Sequence, residues 1–405
     1  MLMLQKIREL RTNENALIAV DVLLHSKSAF MNIFLMSFLM SVSINSSPAS
    51  FITYCIVRYS LIALFSVLLM PLMKHHTLAA WRVSMFFSVA QILSVILLDE
   101  TAPYFTYIIA TFSALESALY WRPKMYYDVT EVGNARRLRF KAVGQIFIEI
   151  VKIIMPIVLG IAIADSGYTQ AGFIILAISL MQLLLSVLFR PTHRVMPRHM
   201  HSLRKIYDMI IRHKSLRKIF YIQLLRGFAF ASAAYIIIAQ VNVYRSSGSD
   251  LDLGVFTSAA SIIAILILAF YRRLKTRVSQ QAILYSIVPA AILLPISLII
   301  FPNNSVLSVA FYIFSQAVIE SFLNGTVLVT RLQQLLNGHL ADDSYRFEIE
   351  SFSEVALTVG RVLGQSILLL IILLGCEKYM MYFAALEAFA IFPLLEIALP
   401  AKNRL

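Results

Sequence analysis

Charged side chains inside long apolar segments are the residues of this sequence best suited to do chemistry. The candidates for solute binding or proton coupling are Arg58, Glu116, Glu149, Lys152, Arg226, Glu320 and Arg361. A charge at the centre of a bilayer costs about 2.5 to 3.5 kcal/mol on insertion scales, so such residues usually face the protein interior and have partners. A basic side chain there can bind an anionic solute group, and a carboxyl in a low-dielectric site can take up and release a proton. Structural ion pairs between helices are the alternative, and the sequence leaves both interpretations open.

Spacing along the chain separates local pairs from isolated charges. Glu149 and Lys152 are three residues apart, so they share a helix face and can pair with each other. Glu354 precedes Arg361 by seven residues, which predicts roughly the same helix face but no direct contact. Glu354 also lies near the edge of its apolar segment, which is compatible with an interfacial position.

Covalent and metal chemistry find no support in the sequence. It contains neither a His-Glu-x-x-His motif nor a glycine-rich phosphate loop. The two cysteines, Cys55 and Cys376, and the scattered histidines lack metal-ligand spacing. We therefore expect no enzyme activity, no cofactor and no metal. Because no ATP-binding motif is present, an ion gradient or the gradient of the solute itself must drive any transport.

The composition defines the elements that must position these charges. The chain has 405 residues, of which 59% are hydrophobic and 14% charged, and its mean hydropathy is +0.78. Soluble proteins carry about 25% charged residues, so a soluble enzyme, a disulfide-stapled domain and a disordered scaffold are excluded. Apolar runs of about 20 residues, each long enough to cross a bilayer, recur along the chain. The predicted spans are 28–46, 50–73, 82–98, 103–121, 142–164, 169–189, 219–242, 253–271, 281–301, 304–326, 353–375 and 379–398.

The formal net charge of +13 is explained by topology and not by nucleic-acid binding. Most lysines and arginines fall before the first span, after the last span and in alternate gaps, whereas the other gaps contain only Arg245 and Lys378. Cytoplasmic loops carry the excess of basic residues in membrane proteins. The pattern predicts both termini in the cytoplasm and a multi-pass protein of the cytoplasmic membrane.

A resemblance to a known family rests on this architecture and on one local segment. Twelve spans, both ends inside and a long basic segment at 190–218 resemble the major facilitator superfamily, and residues 118–129 and 134–140 are similar to a group of bacterial permeases in it. The resemblance implies an all-α membrane protein with twelve transmembrane helices in two six-helix bundles that move by alternating access. Residues 114–117 and 318–321, which contain Glu116 and Glu320, form a faint internal repeat.

The family motifs are largely missing. Residues 73–82 lack the glycine and aspartate of the usual loop between the second and third spans, and the Arg-x-x-Gln-Gly pattern of many proton-coupled relatives is absent. Of the pattern that drug antiporters carry in the fifth span, this sequence contains only Pro156 followed by Gly160. Motifs therefore do not support proton-driven drug export.

The predicted organisation has five parts: a cytoplasmic or interfacial segment at 1–27, a six-helix bundle at 28–189, a basic cytoplasmic linker at 190–218, a second bundle at 219–398 and a tail at 399–405. Residues 15–24 are apolar enough to extend the first span, but Asp21, His25 and Lys27 favour an interfacial position for this stretch. The linker either lies along the anionic leaflet or serves only as a tether.

We predict a secondary transporter of a small solute, with proton coupling an open option and export slightly favoured. A lipid or amphiphile flippase on the same fold and a membrane protein that binds a ligand without moving it are the alternatives. The expected partners are a small-molecule substrate and a bilayer with an anionic inner leaflet, without nucleic acid. No feature of the sequence indicates an oligomer, so we expect a monomer.

Overall fold

The computed structural model describes residues 12–43, 46–132, 134–191, 203–229, 234–274, 280–319, 346–390 and 392–393, and these ranges are helical with no β-strand. The last seven residues of the predicted span at 304–326, including Glu320, lie outside the described residues, as does most of the first half of the linker.

The contacts divide the chain into two units, and the first of them, Met1–Met200, contains seven α-helices in its described part. They are α1 Thr12–Ala29, α2 Leu35–Ser41, α3 Ala49–Leu68, α4 Met70–His75, α5 Thr77–Leu98, α6 Thr106–Thr130 and α7 Asn134–Leu188.

The α-helices described in the second unit are α8 Leu203–Arg212, α9 Lys214–Ala229, α10 Ala234–Ser247, α11 Asp250–Leu274, α12 Gln280–Ile300, α13 Ser305–Ile313, α14 Arg346–Leu373 and α15 Met380–Phe389. By their contacts the units are Met1–Met200 and His201–Leu405, so the boundary lies within the predicted linker.

The first apolar helix begins earlier than predicted. α1 runs through a π-helical segment, Phe30–Phe34, into α2, and residues Asn13–Ser41 are long and apolar enough to cross a membrane. Asp21 and Lys27, interpreted above as interfacial, are only 8% and 2% exposed. Neighbouring helices enclose these charges and supply partners for them, and the interfacial position of the segment stays a prediction.

The long element α7 is two helices that meet at Gly167. This glycine has φ +82° and ψ 176°, a backbone conformation that residues with a Cβ rarely adopt. The chain is therefore helical at 134–166 and again at 168–188, in agreement with the predicted spans at 142–164 and 169–189.

Seven helical stretches in the described part of the chain are long and apolar enough to cross a membrane. Further apolar helices at Ile287–Ile300 and Ser305–Ile319 are shorter. The protein is thus an all-helical, multi-pass membrane protein, and the number of twelve spans stays a prediction.

Helix pairing within each unit follows a similar order. In the first unit α1 packs on α7, and α6 packs on both α3 and α5. In the second unit α9 packs on α14, and α12 packs on α15. In chain order of the predicted spans, the first packs on the helix that contains the fifth and sixth, with Ile18 beside Gly144 of the fifth, and the seventh packs on the eleventh.

Candidate functional site

A buried ion pair joins α1 to α6 in the first unit. The ammonium of Lys27 contacts Oε2 of Glu116, and the two residues are only 2% and 5% exposed. Lys27 Nζ also donates a hydrogen bond of 3.0 Å to Oε1 of Gln91 on α5. Three helices therefore meet at one ammonium group. The structure thus places Glu116 in a polar site and adds Lys27, which the sequence analysis had assigned to an interface.

The hydrogen bonds continue from Gln91 to a fourth helix. Gln91 Nε2 donates to the hydroxyl of Tyr54 on α3 at 3.4 Å, and that hydroxyl donates to Ser113 Oγ on α6 at 3.3 Å. Gln91 reaches this position because it shares the buried face of α5 with Ser84, two turns earlier. Since buried amide and hydroxyl groups require partners, this chain of contacts fixes the orientation of Gln91 beside the ion pair.

Arg58 lies one turn after Tyr54 on α3, and its guanidinium stands 5.7 Å from the ring centroid of Tyr59. Its Nε is buried and has no hydrogen-bond partner, and no carboxylate of a described residue forms an ion pair with it. Arg58 is nevertheless within electrostatic range of Glu116 and Lys27. An arginine is charged at any physiological pH. The described cluster therefore contains two cations and one carboxylate, an excess of one positive charge.

Glu116 also has unused hydrogen-bonding capacity. Its Oε1 is buried and has no partner, whereas Oε2 contacts Lys27. This oxygen and Nε of Arg58 are thus two buried polar atoms of the same cluster that lack a hydrogen-bond partner.

A second polar cluster joins the same two helices with the charges reversed. Lys124 of α6 contacts Oδ2 of Asp21 on α1 at 2.9 Å and Oδ2 of Asp128 at 3.2 Å. The hydroxyl of Tyr120 donates to Oδ1 of Asp21 at 3.1 Å. α1 and α6 run antiparallel here, because the later residue of α1, Lys27, contacts the earlier residue of α6, Glu116, and Asp21 contacts Lys124. The alternation of sign, lysine to glutamate and then aspartate to lysine, opposes sliding of one helix along the other.

Glu149 and Lys152 form the predicted local pair, with 3.4 Å between Oε1 and Nζ. The side chain of Lys152 is 43% exposed and that of Glu149 is 19% exposed. Gln145 also donates to Glu149. A role of this pair in transport stays a prediction.

In the second unit, Arg361 and Glu354 are in contact, which corrects the expectation from their spacing. Nη1 of Arg361 lies 3.7 Å from Oε1 of Glu354, because two long side chains can span two helical turns. Arg226 on α9 donates to Oε1 of Gln223 at 3.2 Å, and it lies within electrostatic range of both Arg361 and Glu354. The structure thus brings Arg226 and Arg361 together, at the crossing of α9 and α14.

Two glycines allow that crossing. A Cβ added at Gly227 would lie 2.0 Å from the carbonyl oxygen of Leu357, and one at Gly360 would lie 2.1 Å from that of Leu224. The two backbones are therefore in direct contact. Each arginine is the chain neighbour of one of these glycines, which explains why two like charges are close.

No cluster of His, Cys, Asp and Glu suited to a metal ion occurs among the described residues. Cys55 and Cys376 are free thiols.

Comparison with solved structures identifies the fold. A point mutant of the nucleoside transporter NupG aligns with a TM-score of 0.71 at 12% identity, covering 95% of this chain and 100% of that one. The POT family transporter PepTSo aligns with a TM-score of 0.73 at 11% identity, covering 96% and 98%. A bacterial homologue of the iron transporter ferroportin, in an inward-facing state, aligns at 0.66 and 13% identity, covering 96% and 99%. No protein-family model and no curated protein matches the sequence.

These likenesses define the class of protein at the level of the fold. The chain has the fold of membrane transporters, and the resemblance to the major facilitator superfamily that the sequence predicts is confirmed at that level. Identities of 11% to 13% leave the solute undefined.

Proposed function

We propose that this protein is a secondary active transporter that moves a small solute with an anionic group and couples its movement to a proton at Glu116. The observation that carries the proposal is the buried ion pair of Lys27 and Glu116 together with Arg58, whose buried Nε has no hydrogen-bond partner and which forms no ion pair with a carboxylate of the described residues. The transporter fold supports it. We infer the finer architecture from the sequence: twelve spans in two six-helix bundles, cytoplasmic termini and a monomer. The export slightly favoured from the sequence would not fit the coupling step below, which makes solute and proton move in the same direction.

The excess positive charge indicates the class of solute. Taking a charge out of water is costly unless a partner compensates it. In the described cluster Glu116 compensates one of the two cations, and a carboxylate or phosphate of a solute would compensate the other. Arg58 suits this role because a guanidinium presents several donors in a fixed plane and binds such groups in a bidentate manner.

The same contacts provide a coupling step. An anionic group that binds Arg58 and Lys27 competes with Glu116 for the ammonium. A carboxylate that loses its lysine in a low-dielectric site binds a proton more readily. Solute binding and proton uptake by Glu116 therefore favour each other, which is the requirement for symport of solute and proton.

The first test is ligand binding to the purified protein. We expect thermal stabilisation by small carboxylates or phosphates and not by neutral analogues of the same size. A ligand at a hundredfold excess over its Kd stabilises the folded state by about 2.7 kcal/mol. Arg58→Gln should abolish the stabilisation, whereas Lys378→Gln, an exposed change, should retain it. Equal stabilisation by neutral analogues would refute the assigned solute class.

The second test is transport in proteoliposomes, with flux expressed per folded protein. We expect Glu116→Gln to lose accumulation driven by a pH gradient but to retain solute exchange, and Glu100→Gln, at an exposed position, to retain both. Loss of exchange and accumulation together would make Glu116 a structural residue. Movement of lipid analogues instead of soluble anions would favour the flippase alternative.

A further inference from the structure

A second buried carboxyl, Glu387, lies in the second unit and belongs to no polar cluster described above. It occupies the middle of α15 and is 0% exposed. Neither Oε1 nor Oε2 has a hydrogen-bond partner, and no basic side chain among the described residues forms an ion pair with it. This environment is unlike that of Glu116, whose charge is compensated by Lys27.

The elements packed against α15 provide little that could neutralise a negative charge on Glu387. They are α9, α10, α12 and α14, together with the short 3-10 helix Glu377–Tyr379, in which Glu377 pairs with Arg245 and Lys378 lies beside the ring of Tyr379. Among the described residues of these helices, the titratable side chain that interacts with Glu387 is Tyr235 of α10, whose backbone amide approaches the carboxyl without reaching hydrogen-bond geometry. The charged groups Arg226 and Arg361, on α9 and α14, interact with each other and with Glu354.

The hydroxyl of Tyr235 is already committed to another partner. It donates a hydrogen bond of 3.0 Å to the carbonyl oxygen of Ala291 on α12. That carbonyl would normally accept from the amide four residues later, but residue 295 is a proline and has no N–H. Because Tyr235 satisfies this carbonyl, its hydroxyl proton is not available to Glu387.

An ionised carboxylate in this place would be a buried charge that no cation of the described residues neutralises and that no donor among them reaches in hydrogen-bond geometry. Such a group neutralises itself by binding a proton instead of remaining charged. The neutral acid carries only the smaller burial cost of an uncharged polar group, and Phe383, Ala384 and Ala388, its buried neighbours on α15, are apolar.

We propose that Glu387 is a second proton-binding site of this protein, protonated in the conformation described here, and that it exchanges its proton with water in another state of the transport cycle. The protonation rests on the geometry alone. The link to transport rests on the proposed function, so the two parts are tested separately.

Infrared spectroscopy of the purified protein tests the protonation without any solute. We expect the carbonyl stretch of a protonated carboxyl at neutral pH, shifted in deuterated water and missing from Glu387→Gln. Glu377→Gln is the matched control, because that carboxylate forms an ion pair with Arg245 at 2.8 Å on a partly exposed surface. If Glu387→Gln fails to fold, Glu387→Asp keeps the acid and should move the band. A band that is absent, or unchanged in both Glu387 variants, would overturn the proposal.

The second experiment measures protons moved per solute in proteoliposomes. If Glu116 and Glu387 each carry one proton, Glu387→Gln should halve the proton flux per solute and leave solute exchange intact. An unchanged ratio would overturn the link to transport even where the infrared band is present. If the wild type moves none of the tested solutes, the proposed function fails while the infrared result still decides the protonation of Glu387.

Discussion

Removing one member of the buried pair of Lys27 and Glu116 should destabilise the protein far more than removing both. The two side chains are 3% and 6% exposed and in direct contact, so solvent screens the pair weakly. At an effective dielectric constant of about 20, two charges in contact attract each other by roughly 4 to 5 kcal/mol. Loss of one member leaves the other buried and uncompensated, and such changes cost about 3 to 5 kcal/mol.

The perturbation is a double-mutant cycle with Lys27→Met, Glu116→Gln and the double variant. We expect Lys27→Met to lower the free energy of unfolding by about 3 kcal/mol or more, and the double variant to recover most of that loss. The loss from Lys27→Met should be larger at high pH, where the isolated carboxyl must ionise, than at low pH, where it can bind a proton.

Reversible unfolding by SDS in mixed micelles, followed by circular dichroism, measures these free energies. Lys378→Met is the matched control, because its ammonium lies at the surface beside the ring of Tyr379, and we expect a change within about 0.5 kcal/mol. Losses that simply add in the double variant would show that the two charges do not interact, which would refute the coupling step built on them.

Two further predictions concern backbone contacts of the second unit. Gly227→Ala should destabilise the crossing of α9 and α14, because its Cβ would lie 2.0 Å from a backbone oxygen, whereas Gly144→Ala, whose Cβ meets only a side-chain carbon at 3.7 Å, should be neutral or slightly stabilising in the same unfolding assay. Tyr235→Phe should cost about 1 to 3 kcal/mol because it leaves the carbonyl of Ala291 without a donor. Adding Pro295→Ala restores an amide four residues after that carbonyl and should recover part of the loss, and no recovery would contradict the assigned contact.

Whether the sequence could predict an ion pair of the site depended on how far apart its two residues are along the chain. Glu149 and Lys152 lie within one turn of the same helix, so their spacing was sufficient to predict the contact. Lys27 and Glu116 are 89 residues apart. Their pairing depends on an antiparallel packing of α1 and α6 that no local pattern encodes.

The sequence left the start of the first helix open for a related reason. A charge near the end of an apolar run normally indicates the edge of the membrane, and the sequence carries Asp21 and Lys27 there. Their partners, Lys124 and Glu116, are on another helix, so the compensation that allows these charges inside the protein was not visible. The fold itself was predictable, because apolar runs and the basic gaps between them are properties of composition and order.

Glu116 and Glu387 are both buried glutamates, but the structure compensates them differently, and one substitution should separate them. Glu116→Gln leaves the ammonium of Lys27 without an opposite charge and should cost about 3 kcal/mol in the unfolding assay at neutral pH. Glu387→Gln replaces one neutral group by another of the same shape, so we expect a change of about 1 kcal/mol or less. The contrast should weaken at low pH, where a protonated Glu116 no longer neutralises Lys27 in the wild type either. Equal losses for the two variants at neutral pH would mean that Glu387 carries a negative charge that something in the protein compensates, and a single proton-binding site at Glu116 would then be sufficient for coupling.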